Sequence, residues 1–67
     1  MKTKNLTFAS RLRLARKTAG LTRYRLAKSA GVSRQTITNL ESGTCQPTLA
    51  TVKALAAALG VGVEELA

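Results

Sequence analysis

The connection near the middle of the chain constrains the fold more than any other feature. Two short stretches with helical apolar spacing, about residues 23–29 and 34–41, are separated by only the four residues AGVS. So short a connection does not let two helices lie antiparallel, so they must cross steeply. Ala27 allows the helices to approach, Gly31 turns the chain without strain from a Cβ atom, and Val32 fills the corner. The sequence therefore predicts a pair of crossed helices.

The amino-terminal part of the chain predicts one further helix, and no convincing strand is found anywhere in the sequence. Phe8, Leu12, Ala15 and Ala19 recur at helical spacing. They would form one apolar stripe on a helix over about residues 8–18.

The carboxy-terminal part predicts a fourth helix and the start of a fifth. The fourth runs from about Leu49 to Leu59, and the final residues VEELA would place Val63 and Leu66 against the core. The residues that the fourth helix is expected to bury are Leu49, Val52, Leu55, Ala56 and Leu59.

Residues typical of helix ends bracket these segments. A Ser or Thr, whose hydroxyl can accept a hydrogen bond from a free N–H group of the first turn, precedes each of the four longer helices, and a Gly follows each. The hydroxyl residues are Thr7, Thr22, Ser33 and Thr48, and the glycines are Gly20, Gly31, Gly43 and Gly60. The predicted fold is therefore all-α, a compact bundle of four to five short helices. We expect one domain over residues 8–67, preceded by a flexible basic arm over residues 1–7.

Charge is distributed unevenly along the chain. Residues 1–34 contain ten basic residues and no acid, a net charge of +10, whereas residues 35–67 contain Lys53 and three Glu, a net charge of −2. A one-sided cationic field attracts polyanions such as nucleic acid, anionic lipid or an acidic protein. The alternative is a soluble surface that merely uses Lys and Arg, and so strong an asymmetry argues against it.

The residue types used in catalysis and metal binding are scarce. The chain of 67 residues has no His, no Asp and a single Cys, Cys45. We therefore expect no enzyme activity, no metal and no cofactor, and interpret Cys45 as an ordinary loop residue. The sequence MKTKNLTFAS does not resemble a signal peptide, and no apolar stretch is long enough to cross a bilayer. We expect a cytoplasmic protein with no membrane partner.

The third predicted helix has an unusual outward face. A helical projection puts Ile37 and Leu40 on its buried side, and the residues opposite carry amides and hydroxyls but no carboxylate. A merely solvated helix usually carries Lys and Glu pairs, whereas amides, hydroxyls and a guanidinium are groups that bind the edges of DNA bases. A neutral polar face without a partner is the alternative. The outward residues are Gln35, Thr38, Asn39 and Ser42, with Arg34 and Thr36 on the flanks.

Further residues on both sides of the central turn fit a known pattern. They are Arg16, Leu21–Thr22, Leu26–Ala27, Ala30–Ser33, Ile37, Glu41–Gly43, Pro47 and Leu55–Val61. Through them the chain, over roughly residues 8–66, resembles the phage lambda/434 repressor and Cro-like family of helix-turn-helix proteins, also called XRE-type regulators. The resemblance implies that the third helix is a recognition helix in the major groove, with the second helix lying across the phosphates.

The resemblance also implies roles for individual residues. Those expected to read bases are Arg34, Gln35, Thr38 and Asn39. Those expected to contact the DNA backbone are Arg23, Tyr24, Arg25, Ser33, Thr36 and Ser42. Arg23 stands where the family commonly has Gln, which keeps phosphate binding but puts an amide bridge between the two helices in doubt. Tyr24 could instead simply cover the second helix.

Two further groups of charged residues have expected roles, the first from the resemblance and the second from the basic residues themselves. The resemblance implies a partly buried ion pair between Arg16 and Glu41, the alternative being two independent exposed charges. An amino-terminal arm that follows the DNA backbone is expected from Lys2, Lys4, Arg11 and Arg13, with a frayed, solvated terminus as the alternative.

These features predict a sequence-specific, double-stranded-DNA-binding transcriptional regulator, with repression as the expected mode. One small domain has too small a footprint for selective binding, so we expect a homodimer on a palindromic operator with half-sites about 34 Å apart. The resemblance suggests that the loop GTCQP and Val61, Val63 and Leu66 form the dimer contact. Such a protein would be bacterial or phage-encoded and associated with the nucleoid.

Two other functions stay open at this stage. An antitoxin or accessory protein of the same fold would have another protein, such as a toxin, as its main partner, whereas the regulator itself would occlude a promoter or contact polymerase. A nonspecific polyanion or membrane binder would use the basic first helix, and changes in the third helix would not affect it.

Overall fold

Five short helices form the described part of the chain. The computed structural model describes residues 7–66, and within that range it contains no strand. The helices are α1 (Phe8–Thr18), α2 (Arg23–Ala30), α3 (Arg34–Ser42), α4 (Leu49–Leu59) and α5 (Val63–Leu66). The predicted all-α class is confirmed, and α2 and α3 each extend one residue beyond the expected end.

The expected amino-terminal arm needs one correction. Arg11 and Arg13 lie within α1, so they cannot belong to the arm that was expected to follow the DNA backbone. Lys2 and Lys4, with the rest of residues 1–6, lie outside the described residues.

The helix ends follow the predicted pattern of hydroxyl and glycine residues. The side chains of Thr7, Thr22, Ser33 and Thr48 each accept a hydrogen bond from the N–H group three residues further on, at 3.1–3.2 Å. At the end of α2, Gly31 adopts a left-handed conformation with φ 76°, and its N–H group donates to the Ala27 carbonyl. The N–H group of Val32 donates to the same carbonyl at 3.0 Å, which closes the turn between α2 and α3.

The core lies where α3 packs against both α1 and α2, with α4 against α2 and α5, and α5 against α1. Ala27 is 3% exposed, which lets α2 and α3 approach closely. The largest fully buried side chains are Leu12, Leu26, Ile37, Leu40, Leu55 and Leu66. The longest helices of the described part have 11 residues, and none of its helices is long and apolar enough to span a membrane.

Two residues expected in the core are exposed instead. Leu49 is 65% exposed because it occupies the first position of α4, where no other described element covers it. Ala19 is also exposed, because α1 ends at Thr18 and Ala19 is its cap. The rest of the α4 stripe is as predicted, with Leu59 half-buried.

We expect the replacement Gly31→Ala to lower the free energy of unfolding by about 1 kcal/mol. A Cβ atom at Gly31 would meet nothing within 4 Å, so the cost is that of the positive φ alone. Gly31→Asn should cost less, because Asn tolerates the left-handed region. Urea denaturation of the three proteins tests this, and an Ala variant as stable as the parent would contradict it.

Candidate nucleic-acid interface

The outward face of α3 is polar and carries no carboxylate. Arg34, Gln35 and Ser42 are exposed, and Thr38 and Asn39 are half-buried. The buried side consists of Ile37, Leu40 and Glu41. The helix therefore points its amides and hydroxyls away from the core, as its periodicity predicts.

Polar side chains at both ends of this helix bond to one another or to the backbone. The Ser33 hydroxyl accepts a hydrogen bond from the N–H group of Thr36 and lies 2.8 Å from the Thr36 hydroxyl. The Ser42 hydroxyl donates to the Asn39 carbonyl at 3.1 Å. In the middle of the face, the Gln35 side-chain amide donates to Oδ1 of Asn39 at 3.0 Å. Gln35, Asn39 and Ser42 on this face therefore each have a hydrogen-bond partner within the helix.

A cleft between the amino-terminal ends of α2 and α3 adds positive charge to this face. Its volume is about 530 Å3. The cleft combines guanidinium groups with hydroxyls, which are the groups that bind phosphate oxygens. It is lined by Arg16, Thr22, Arg23, Tyr24, Arg34 and Thr38.

Beneath this cleft lies a buried carboxylate shared by two arginines. Nε of Arg16 is 2.6 Å from one oxygen of Glu41, and Nε of Arg23 is 3.0 Å from the other. The Glu41 side chain is 1% exposed, against 11% for Arg16 and 47% for Arg23. Arg16 also donates to the Leu21 carbonyl at 2.9 Å. The contact between Arg16 and Glu41 expected from the resemblance is thus present and buried.

The arginines determine the charge state of Glu41. Burial by itself would raise the pKa of the carboxyl group, but the hydrogen bonds and charges of Arg16 and Arg23 outweigh it and hold the pKa of Glu41 below its usual 4.5. Glu41 is therefore ionised at neutral pH.

Sequence reasoning missed two contacts of this surface. Arg23 was assigned only to the DNA backbone, although its Nε also binds Glu41, and no sequence periodicity links residues 18 apart. Lys28 was not assigned to the surface, but its Nζ lies 5.6 Å from the ring centre of the exposed Tyr24. The spacing of four residues along α2 was the available signal for this second contact. Arg25 is exposed beside them.

Only part of the expected dimer contact is exposed to solvent. Cys45 and Gln46 are exposed in the loop before α4, and Val61 and Val63 are half-buried. Leu66 is 0% exposed because it packs into the core, so its assignment to the dimer contact is wrong. The exposed apolar side chain that the loop leads into is Leu49.

The crossed helices and the polar face of α3 define a helix-turn-helix protein. The model of the helix-turn-helix family matches residues 12–66, and the chain belongs to that family. This confirms the resemblance to the repressor and Cro-like regulators.

Individual relatives agree with this assignment. The chain is 34% identical over 61 residues to an immunity repressor protein of Bacillus phage phi105, a match that covers 91% of this chain and 42% of the phage protein. The chain thus spans less than half the length of that relative. The crystal structure of the restriction-modification controller protein C.AhdI from Aeromonas hydrophila is similar with a TM-score of 0.87 and 33% identity, over 90% of this chain and 91% of that one. A hypothetical transcription factor, NHTF, from Neisseria matches with a TM-score of 0.84 and 30% identity, over 88% and 68% of the two chains.

We expect Glu41→Gln to lower the free energy of unfolding by roughly 3 kcal/mol at pH 7, because it leaves two arginines facing a neutral group. The folded-state pKa of Glu41 is lowered, so its ionic contribution is present above pH 4.5 and is lost as the pH falls through the folded-state value. The difference in stability between parent and variant should therefore stay constant from pH 7 down to about pH 4.5 and shrink as the pH falls further.

Urea denaturation at several pH values measures this difference. Glu65→Gln, which removes an exposed carboxylate from α5, is the control and should change stability by less than about 0.5 kcal/mol. A gap between the parent and Glu41→Gln that stays constant with pH would show that the charge of Glu41 does not contribute.

Proposed function

We propose that this DNA-binding transcriptional regulator of the helix-turn-helix family is a repressor that reads its operator with α3 in the major groove. The observation that carries the proposal is the outward face of α3, which bears amides, hydroxyls and a guanidinium and no carboxylate. Such groups match the hydrogen-bonding pattern of base edges. The residues proposed to read bases are Arg34, Gln35, Thr38 and Asn39.

Contacts to the DNA backbone would surround this helix. The cleft at the start of α2 and α3 collects Arg23 and Tyr24 beside Arg34, and its cations would neutralise phosphates and release counterions. The release of counterions would supply most of the affinity for DNA and make that affinity fall steeply as the salt concentration rises. The remaining residues proposed for the backbone are Arg25, Ser33, Thr36 and Ser42.

One small domain covers too few base pairs for selective binding, so the protein would bind a palindromic operator as a homodimer. We place the contact around the loop before α4, because Leu49 presents a large apolar side chain there with 65% exposure. Cys45, Gln46, Val61 and Val63 would extend this surface. The family relation further supports a bacterial or phage-encoded protein that acts in the cytoplasm.

Selection of bound sequences from random duplex DNA should yield one consensus, and two arginine variants should affect it differently. Arg34→Ala should relax the preference for guanine at one base pair by about 1–3 kcal/mol. Arg25→Ala should weaken binding to all sequences alike and reduce the slope of log affinity against log salt by about one.

The two variants are matched, since both remove an exposed arginine. If both lower affinity equally and neither changes the preferred sequence, Arg34 does not read a base. If the unchanged protein enriches no sequence at all, the proposal fails and a protein partner becomes the better explanation.

Leu49→Ser should leave the monomer folded but weaken the dimer. Sedimentation velocity with and without operator DNA should show loss of the dimer and an affinity for DNA at least about tenfold lower, since a second half-site no longer contributes. Leu14→Ser is the matched control, because Leu14 is 58% exposed on α1. Equal effects of the two replacements would place the dimer contact elsewhere.

A further inference from the structure

The side-chain amides of Gln35 and Asn39 form a hydrogen-bonded pair, and we infer that Asn39 positions Gln35 to select adenine over guanine. The inference rests on the proposed function, in which α3 reads bases. Nε2 of Gln35 donates to Oδ1 of Asn39 at 3.0 Å, across one turn of the helix. Asn39 thus positions Gln35 through its Oδ1, in addition to any base contact that its own N–H groups make.

The backbone beneath Asn39 is held firmly. Its carbonyl oxygen accepts hydrogen bonds from the Ser42 hydroxyl at 3.1 Å, the Thr44 hydroxyl at 3.2 Å and the Thr44 N–H group at 3.0 Å. Asn39 is also half-buried, whereas Gln35 is exposed. The shorter, better-supported side chain therefore orients the longer and more mobile one, which has one more rotatable bond.

The direction of the hydrogen bond determines which base Gln35 can bind. An amide has two N–H donors and one oxygen acceptor. One donor of Gln35 is taken by Asn39, which leaves one N–H group and Oε1. Adenine presents one donor, its N6 amino group, next to one acceptor, N7, in the major groove. The remaining groups of Gln35 match this pattern.

Guanine does not match the oriented amide. It presents two adjacent acceptors, N7 and O6, and would need two donors from the protein. Because Asn39 already holds one N–H group of Gln35, Oε1 would face an acceptor of guanine with no proton between them. An unpaired contact of this kind is costly in a desolvated interface.

The experiment starts from the consensus bound by the unchanged protein. Gln35→Ala identifies the base pair that Gln35 reads, as the pair at which the preference is lost. Competition binding with adenine or guanine at that pair then compares the unchanged protein with Asn39→Ala and Asn39→Asp. The aspartate variant keeps an oxygen acceptor for Gln35 but has no N–H group of its own to donate to a base.

The expected preference of the unchanged protein is for adenine, and Asn39→Ala should reduce it by about 3- to 10-fold, the effect of one hydrogen bond. Asn39→Asp should bind all sequences more weakly, because it adds a negative charge near the phosphates, yet keep the ratio of adenine to guanine. In the background of Gln35→Ala, replacing Asn39 by Ala should change nothing further at this base pair.

Several results would overturn the inference. One is a preference for guanine at the base pair that Gln35 reads, which would mean that the Asn39 amide donates to Oε1 of Gln35 and leaves both Gln35 N–H groups free. A second is that Asn39→Ala relaxes the sequence preference only at a different base pair. A third is that Asn39→Asp loses the preference for adenine as fully as Asn39→Ala does. Each requires that a consensus exists, so they are distinct from failure of the proposed function, which would give no enriched sequence.

Discussion

The arrangement of the first three helices depends on the ion pairs that the Glu41 carboxylate forms with two arginines. The carboxylate joins α3 to α1 through Arg16 and to α2 through Arg23, and Arg16 also binds the Leu21 carbonyl in the connection between α1 and α2. Burying a carboxylate is costly, and pairing it largely offsets that cost without adding much net stability. The network therefore acts mainly as a geometric constraint, because any arrangement that separates these helices leaves a buried charge without a partner.

The same network connects the core to the surface proposed to bind DNA. Nε of Arg23 is bonded to Glu41, while the rest of its guanidinium lies at the cleft between α2 and α3. A guanidinium has five N–H donors, so the terminal nitrogens keep donors for a phosphate. The bond between Gln35 and Asn39 similarly orients a side chain on the face proposed to read bases before any DNA is bound. Side chains fixed in advance lose less conformational entropy on binding, which favours affinity and selectivity.

Most of the fold could be predicted because its signals are local. Hydroxyl caps, terminal glycines and the spacing of Leu12, Ile37 and Leu40 each depend on residues within one or two turns. Predictions failed where the outcome depends on what covers a residue. Leu49 fits the apolar stripe of α4 but no described element packs over it, and Leu66 is fully buried. The bond between Arg23 and Glu41 joins residues 18 apart, which periodicity cannot reveal.

The placement of Glu41 also explains how charge is divided over the molecule. It is the only acid before Glu64, and its side chain is 1% exposed and bonded to two arginines. The described surface of α1, α2 and α3 therefore presents cations without an exposed carboxylate. The other two acids, Glu64 and Glu65, are exposed on α5, which packs against α1 and α4. An approaching polyanion would be attracted to the first three helices and repelled by α5. The charge distribution would thus orient the molecule with the proposed reading helix α3 towards DNA before any base is contacted.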